Sequence, residues 1–285
     1  MAEVATSPTS DQLLVVIDPV ARRRDGESVR IAKDVLSGGA STKVCLPDGP
    51  EEFARALARL GSRRPVVIGD DRALTRAVGV LHRQRELTGC ALSLVPVGGA
   101  LSLARSLGVP TGTVAAARAV LDGAERRMDL LVDDSDGVVL GAVRIPPVGG
   151  VTPVRETVGG VGRPWLQTCR SLVRTLVPAR PSEIAPVTEA HPSRLRVEVD
   201  GETLVDLHQP VEAVSVVPGT SGAARVEVRP ASVGAEASPL LAEGRAVTVS
   251  GAHFRYRADA VVSGPVLTRT WVVLEGALGL TLPKS

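Results

Sequence analysis

Aromatic side chains are nearly missing from this chain: two Phe, one Tyr and two Trp in 285 residues. Single-stranded nucleic acids are read by stacking on aromatic faces, so that function class is excluded. An excess of charge of one sign is missing too. The 33 Lys and Arg residues are balanced by 31 Asp and Glu, leaving a formal net charge of +2. No electrostatic footprint for a nucleic-acid partner remains. Cysteine is scarce, and Cys45, Cys90 and Cys169 are widely separated. They form neither a disulfide framework nor a metal knuckle and read as small buried hydrophobes. His82, His191, His208 and His253 share no ligand spacing, so no metal held by His and Cys is expected. No apolar run approaches the length of a membrane-spanning helix. Residues 1–11 lack the basic start and apolar stretch of a secretory signal. A cytoplasmic protein is expected, without internal repeats or heptads.

What the chain has is aliphatic: 44% of it is hydrophobic, mostly Ala, Val and Leu. That content can bury a sizeable core, and the length suits two domains. In the first half, short apolar runs alternate with amphipathic stretches. Leu13–Ile17, Thr42–Leu46, Pro65–Ile68 and Leu92–Val95 read as strands. Val29–Leu36, Glu51–Leu60, Leu74–Leu87 and Ala115–Leu121 read as helices, with Pro50 and Gly123 as boundary signals. Such alternation predicts a mostly parallel sheet covered on both faces, a three-layer, Rossmann-like α/β domain over residues 1–125.

Near Arg126 the period switches to two. Met128–Val132, Val138–Ile145, Leu195–Val199, Val211–Val217, Ala224–Val228, Ala246–Val249, Phe254–Ala258 and Trp271–Leu274 read as strands. Ser135-Asp136-Gly137, Asp200-Gly201, Ser250-Gly251 and Ser263-Gly264-Pro265 read as the turns between them. Residues 126–285 are therefore expected to form a β-sandwich, interrupted by one helix at Trp165–Leu176 between Gly- and Pro-rich segments.

Ligands of parallel sheets bind outside the carboxyl ends of the strands. Three such ends carry informative sequence: Asp18-Pro19-Val20-Ala21-Arg22-Arg23-Arg24, Gly69-Asp70-Asp71-Arg72-Ala73-Leu74, and the stretch from Pro96 through Gly98-Gly99-Ala100-Leu101 to Pro110. Glycines there let backbone amides approach a phosphate, and a following helix adds its positive end. Each alone is also an ordinary βα turn. Arg22-Arg23-Arg24 reads equally as a phosphate or headgroup grip and as a solvated basic loop. Asp200-Gly201-Glu202 reads as a two-residue hairpin turn. Asp133–Gly137 resembles a calcium loop but lacks the rest of the pattern, which favours a solvated hairpin.

Taken together the three strand ends resemble the diacylglycerol kinase catalytic-domain family, as in the bacterial diacylglycerol/lipid kinases. Pro96, Gly98, Ala104, Arg105, Leu107, Gly108 and Pro110 match in register the family's Pro-x-Gly-Thr-Gly-Asn-Asp-Phe-Ala-Arg-x-Leu-Gly-Ile-Pro signature. Gly69–Ala73 stands where the family has Gly-Gly-Asp-Gly-Thr, and Asp18-Pro19 where it has Asn-Pro-x-Ser-Gly. Glu275–Pro283 is similar to the family's Pro-Gly-Ala-Leu…Pro close. The resemblance implies ATP and Mg as cofactors, with Asp18, Pro19, Gly69, Asp70, Arg72, Gly98 and Gly99 around the nucleotide. It implies γ-phosphoryl transfer to a lipid or other small hydroxyl substrate, with Asp71 as the retained acid and Asp259 in the place of the base that takes the hydroxyl proton.

The departures from the family pattern bear on activity. Asp70 and Arg72 replace glycines, Ala73 replaces the Thr, and Gly99-Ala100-Leu101-Ser102 replaces Thr-Gly-Asn-Asp. Val261 replaces an acid, and Gly219–Gly222 carries no carboxylate where the family has a metal-associated Asp-Gly. No metal ligand is assigned. Two functions are expected: an ATP-dependent lipid kinase with a degraded phosphate loop and low activity, or a non-catalytic regulator that binds a nucleotide, lipid or protein partner. Whether the chain is an enzyme stays open between them. Peripheral membrane contact and a homodimer are compatible with either.

Overall fold

The computed structural model describes residues 12–147, 192–231 and 238–284. The helix expected at 165–176, with Cys169 and His191, lies outside them. In chain order the first half contains β1 (Gln12–Ile17), α1 (Pro19–Arg24), α2 (Gly26–Gly39), β2 (Ser41–Cys45), α3 (Pro50–Leu57), β3 (Arg64–Gly69), α4 (Asp71–Arg83), β4 (Ser93–Pro96), α5 (Ser102–Ser106) and α6 (Thr113–Asp122). The strands pair in parallel in the order β2-β1-β3-β4. Alternation along each strand sends side chains to two separate cores. Leu13, Val15 and Ile17 pack with Ala32, Leu36 and Val120 of α2 and α6. Leu14, Val16 and Val67 pack with Phe53, Leu74 and Leu103 of α3, α4 and α5. The expected layering of helices on both faces is what these two cores require.

The second half contains β5 (Ala124–Asp133), β6 (Val138–Val139), β7 (Val143–Ile145), β8 (Ser193–Val199), β9 (Glu202–Val205), β10 (Pro210–Pro218), β11 (Ala224–Pro230), β12 (Leu240–Gly244), β13 (Ala246–Ala258) and β14 (Val261–Leu282). They form one 10-stranded hydrogen-bonded network. Pairings β10–β7, β7–β13, β13–β8 and β8–β10 close a ring, so the strands wrap around a single core. Val143, Val197, Val216, Val249 and the fully buried Trp271 fill it. The Tyr256 ring meets Trp271 edge-on at 5.2 Å.

The end of β14 returns to the first half. Leu92 donates to the Gly279 carbonyl at 2.8 Å and accepts from Thr281 at 2.9 Å. Leu278, Leu280 and Leu282 join the core that holds α3, α4 and α5. Gly123 sits where a Cβ would strike the carbonyls of Ala119 and Leu282, so glycine is required between α6 and the last strand.

Two expected turns are corrected. Ser250-Gly251 lies within β13, where the register shifts between Ser250 and Phe254. Ser263-Gly264-Pro265 lies within β14; its partner strand reverses at Asp259-Ala260, since Ala258 pairs with Val261. Both sequences carry turn residues, but their glycines serve irregular strand pairing rather than chain reversal. Asp200-Gly201 does form the two-residue turn, with φ of 50° and 86° between Val199 and its partner Glu202.

Candidate functional site

Because β1, β3 and β4 are adjacent and parallel, the loops after them emerge side by side. Asp18 follows β1 and donates its amide to the Ile68 carbonyl at 2.9 Å, while Val97 donates to the Gly69 carbonyl at 2.9 Å. Close approach explains Gly69: a Cβ there would lie 2.5 Å from Ala73 Cβ and 3.0 Å from Asp18 Cβ. Gly98 has φ of +130°, a region that only glycine enters freely, and a Cβ on it would lie 3.2 Å from Asp70 Cβ. The structure thus brings Asp18, Pro19, Gly69, Asp70, Arg72 and Gly98 to one sheet edge. Gly99 sits beside them, with open space where a Cβ would be.

Each of the three helices that start here has a carboxylate at its first turn. Asp18 caps α1, accepting from Val20 at 2.9 Å and Ala21 at 3.4 Å. Asp70 caps α4, accepting from Arg72 at 3.1 Å and Ala73 at 3.2 Å. Asp71 reaches across to α5, accepting from Leu103 at 2.9 Å, Ala104 at 2.9 Å and Ser102 Oγ at 3.2 Å. These are the amides that a helix start presents to an anion. Here internal carboxylates take them and meet the positive ends of the helix dipoles.

Asp18 is only 2% exposed and is paired with Arg76 at 2.9 Å. The Arg76 guanidinium also lies over the Phe53 ring. Asp71 is likewise 2% exposed. Its amide donates to the Ala100 carbonyl, which locks the loop after β4 to the start of α4. Asp70 has φ of −90° and an extended backbone, and Arg72 lies in the first turn of α4. The two residues that replace glycines are therefore unstrained, and any effect they have on a ligand comes from their side chains.

Asp259 stands on the β13–β14 turn with φ of 50°. Its carboxylate accepts from Leu140 at 2.8 Å, Gly141 at 2.8 Å and Ala142 at 3.0 Å. Burial pushes its carboxyl above the usual carboxylate range; the three amide bonds offset part of that, and the Asp71 charge adds to the rise. A Cβ on Gly141 would lie 2.9 Å from Asp259 Oδ1 and 3.0 Å from Leu103 Cδ1. That contact places the Asp259 turn against α5, on the side of the strand ends. Asp71 and Asp259, far apart in sequence, are therefore brought together electrostatically.

Two residues here escaped the sequence reading. Arg76 is one helical turn from Arg72, in a stretch that reads only as amphipathic helix. Asp129 is buried and accepts from Gly222 and Gly276, both at 2.8 Å, tying the Gly219–Gly222 loop to the irregular stretch of β14 between Leu274 and Leu278. Neither has a local signal, because each partner is distant in sequence. Among the described residues no group of His, Cys, Asp or Glu side chains is arranged to hold a metal ion. No helix among them is long and apolar enough to cross a membrane. A shallow cavity lined by His82, Asp133, Asp136 and Val272 lies at the far end of α4 from these loops.

Residues 12–132 match the family model of the diacylglycerol kinase catalytic domain. No curated protein sequence matches the chain. The fold is shared with "A putative diacylglycerol kinase from Bacillus anthracis str. Sterne", at a TM-score of 0.68 and 13% identity over 95% of this chain and 97% of that one. A second crystal structure from the same organism, under the same description, gives 0.68 and 12% over 99% and 98%. A third, of diacylglycerol kinases from that organism, gives 0.59 and 11% over 95% and 97%. At these identities the likeness is one of fold, and it extends over both halves of the chain.

Proposed function

On the premise that residues 12–132 carry a diacylglycerol kinase catalytic domain, we propose that this diacylglycerol kinase-like protein has a phosphate loop filled from within. Its ATP affinity is weak, and its phosphoryl transfer to a lipid hydroxyl is slow. One observation carries the reading: the Asp70 carboxylate accepts from the Arg72 and Ala73 amides. Those amides stand where a nucleotide phosphate would need donors, and a carboxylate about 4 Å from a phosphate charge costs about 1–4 kcal/mol in a surface-like dielectric.

The residues fit magnesium–ATP poorly. Asp18 is committed to Arg76 and Asp71 to α5, so neither carboxylate faces outward for a metal. When bound, ATP would supply the phosphoryl group, and this chain's own contribution would be Gly98 and Gly99 as a close backbone approach and Asp259 as a fixed carboxylate. The switch from the parallel sheet to the antiparallel network at Ala124 supports a division into a nucleotide-side domain ending near residue 125 and a lipid-side domain beyond it.

A second reading, a working kinase with a remodelled loop, is favoured by Asp259. Its raised pKa and its place against α5 suit a base that takes a hydroxyl proton. The two readings separate in a turnover assay with labelled ATP and diacylglycerol vesicles. The filled loop predicts turnover close to background that rises in Asp70→Gly/Arg72→Gly. Kinase-level turnover (on the order of 1 s⁻¹ or more) by the native chain, abolished in Asp259→Asn, establishes the second reading instead.

A further inference from the structure

The amino edge of the parallel sheet carries charge of both signs, on either side of the end of α4. The strand order β2-β1-β3-β4 puts α3, which leads from β2 to β3, on one side of α4. The β5–β6 hairpin lies on the other side, since Leu92 before β4 meets Leu280 of β14 and β14 pairs with β5. All three elements share one core: Leu57 and Leu60 at the end of α3, Leu81 of α4 and Val138 of β6. A Cβ on Gly79 of α4 would lie 3.5 Å from Val138.

On the hairpin side lies the shallow cavity, about 290 Å³ in volume. Val132, Val272 and Leu274 give it an apolar wall, Asp133, Asp134 and Asp136 a carboxylate wall, and no Lys or Arg is among the described residues that line it. Val272 stays 43% exposed although it is paired on both sides, with Ala246 and Val132. Asp133 accepts from the Ser135 and Gly137 amides, and Asp134 is paired with Arg269. The Asp136 side chain is 74% exposed and is faced by the His82 imidazole at 3.9 Å. An apolar wall beside carboxylates suits an aliphatic stem that ends in a cation, as in Arg or Lys.

The same edge carries such side chains on the α3 side. Arg59 follows α3, Arg63 and Arg64 follow the turn at Gly61, and Arg85 follows α4. Gly61 has φ of +57° and the Arg63 amide donates to the Leu60 carbonyl at 3.2 Å, so the loop turns tightly and leaves Gly61 and Ser62 exposed. Among the described residues none of these four arginines is in an ion pair. Arg59 gains from the negative end of α3. Arg63 and Arg64 stand beyond the helix and have no such gain.

We propose that this edge is an interface between two copies of the chain, in which the Arg59–Arg64 loop of each enters the acidic cavity of the other. A closed pair needs a self-complementary surface. A two-fold axis past the end of α4 supplies one, because it brings the basic side of each copy to the acidic side of the other and makes the contact twice. Arg85 and Glu86, neighbours at the end of α4, lie near that axis and can pair across it. The contact lies at the opposite edge of the sheet from the strand ends, so it stands independently of how the candidate site works.

Sedimentation equilibrium of the full chain tests this at about 0.05 M and about 0.5 M salt, where charges are screened over about 14 Å and about 4 Å. A dimer is expected at low salt, with a dissociation constant about tenfold or more higher at high salt. Arg59→Glu/Arg63→Glu and Asp136→Lys/Val272→Lys should each be monomeric. Mixed together they should form a dimer again, because each loop then meets a cavity of opposite charge. Lys33→Glu/Arg118→Glu, on α2 and α6 at the other face of the sheet, should dimerise like the native chain. Circular dichroism checks that each variant folds, and the salt response of the native chain decides the question even if one does not. A native chain that is monomeric at low salt up to about 100 μM, a dimer indifferent to salt, or reciprocal variants that stay monomeric when mixed would overturn the interface. So would an arginine-rich peptide bound by a native chain that stays monomeric, since the cavity would then belong to another partner.

Discussion

Removing the Asp71 carboxylate should unfold the site before it affects any chemistry. Asp71 is 2% exposed, and its oxygens accept from the buried Leu103 and Ala104 amides at 2.9 Å. In Asp71→Ala those two buried donors lose their partner. Each unsatisfied buried donor costs about 1–3 kcal/mol, so a loss of about 2–6 kcal/mol is expected for the two. That is a large share of the roughly 5–15 kcal/mol by which a folded domain is stable. Asp71→Asn keeps one acceptor but turns an NH₂ toward the other amide, so about 1–3 kcal/mol should go. Urea unfolding followed by circular dichroism measures both. If Asp71→Ala unfolds within about 0.5 kcal/mol of the native chain, the ordinary range for surface substitutions, Asp71 is not the clamp between α4 and α5, and a purely catalytic role regains its standing.

Gly98→Ala should cost about 1–3 kcal/mol, because φ of +130° excludes a side chain and Asp70 Cβ stands 3.2 Å from the new atom; thermal unfolding reads it. Two carboxylates should give opposite pH signatures. Burial raises the Asp133 carboxyl, but bonds from Ser135 and Gly137 and the Arg269 charge together hold it below its ordinary value. Its stabilisation is then present above the ordinary carboxylate pKa and lost as pH falls through the lowered one, so native and Asp133→Asn chains should converge in stability at low pH. Asp259 is raised, so its ionisation costs stability as pH rises from the ordinary value through the folded one; the native chain should lose ground to Asp259→Asn across that window. Burial pushes the Cys90 thiol up to about 11, so alkylation of Cys90 at neutral pH should be slow by mass spectrometry, and slower than that of Cys45 on the edge strand β2.

The sheet strands of the first half were legible because a covered parallel sheet leaves continuous apolar runs, as in Leu13–Ile17 and Pro65–Ile68. The helices α1 and α5 were not, because six and five residues hold too few turns for a periodic signal. The cap was readable in principle: Asp18-Pro19 is an acceptor followed by proline at the first helical position. The same holds for Asp70, which caps a helix starting at Asp71 rather than at Leu74, where the apolar periodicity begins. Set against the family's glycine pattern, Asp70 reads as a lost glycine, whereas in the fold it is the cap of α4. Its carboxylate, three residues before Ala73, instead marks what it bonds. In the second half, glycine within a strand and glycine in a turn look alike in sequence, and only the pairing of Ala258 with Val261 shows where β13 ends. Asp129 and Arg76 depend on distant pairings, which no local pattern encodes.

The central claim, a phosphate loop occupied by its own carboxylate, is tested most directly by equilibrium binding of ATP to the native chain and to Asp70→Gly/Arg72→Gly. Glycine at a helix N-cap costs only a few tenths of a kcal/mol relative to Asp, so the variant should fold. Releasing the Arg72 and Ala73 amides and removing a charge worth about 1–4 kcal/mol against phosphate should raise ATP affinity about tenfold or more. Micromolar ATP binding by the native chain, weakened by the double substitution, would show that Asp70 and Arg72 build a working site and would contradict the account.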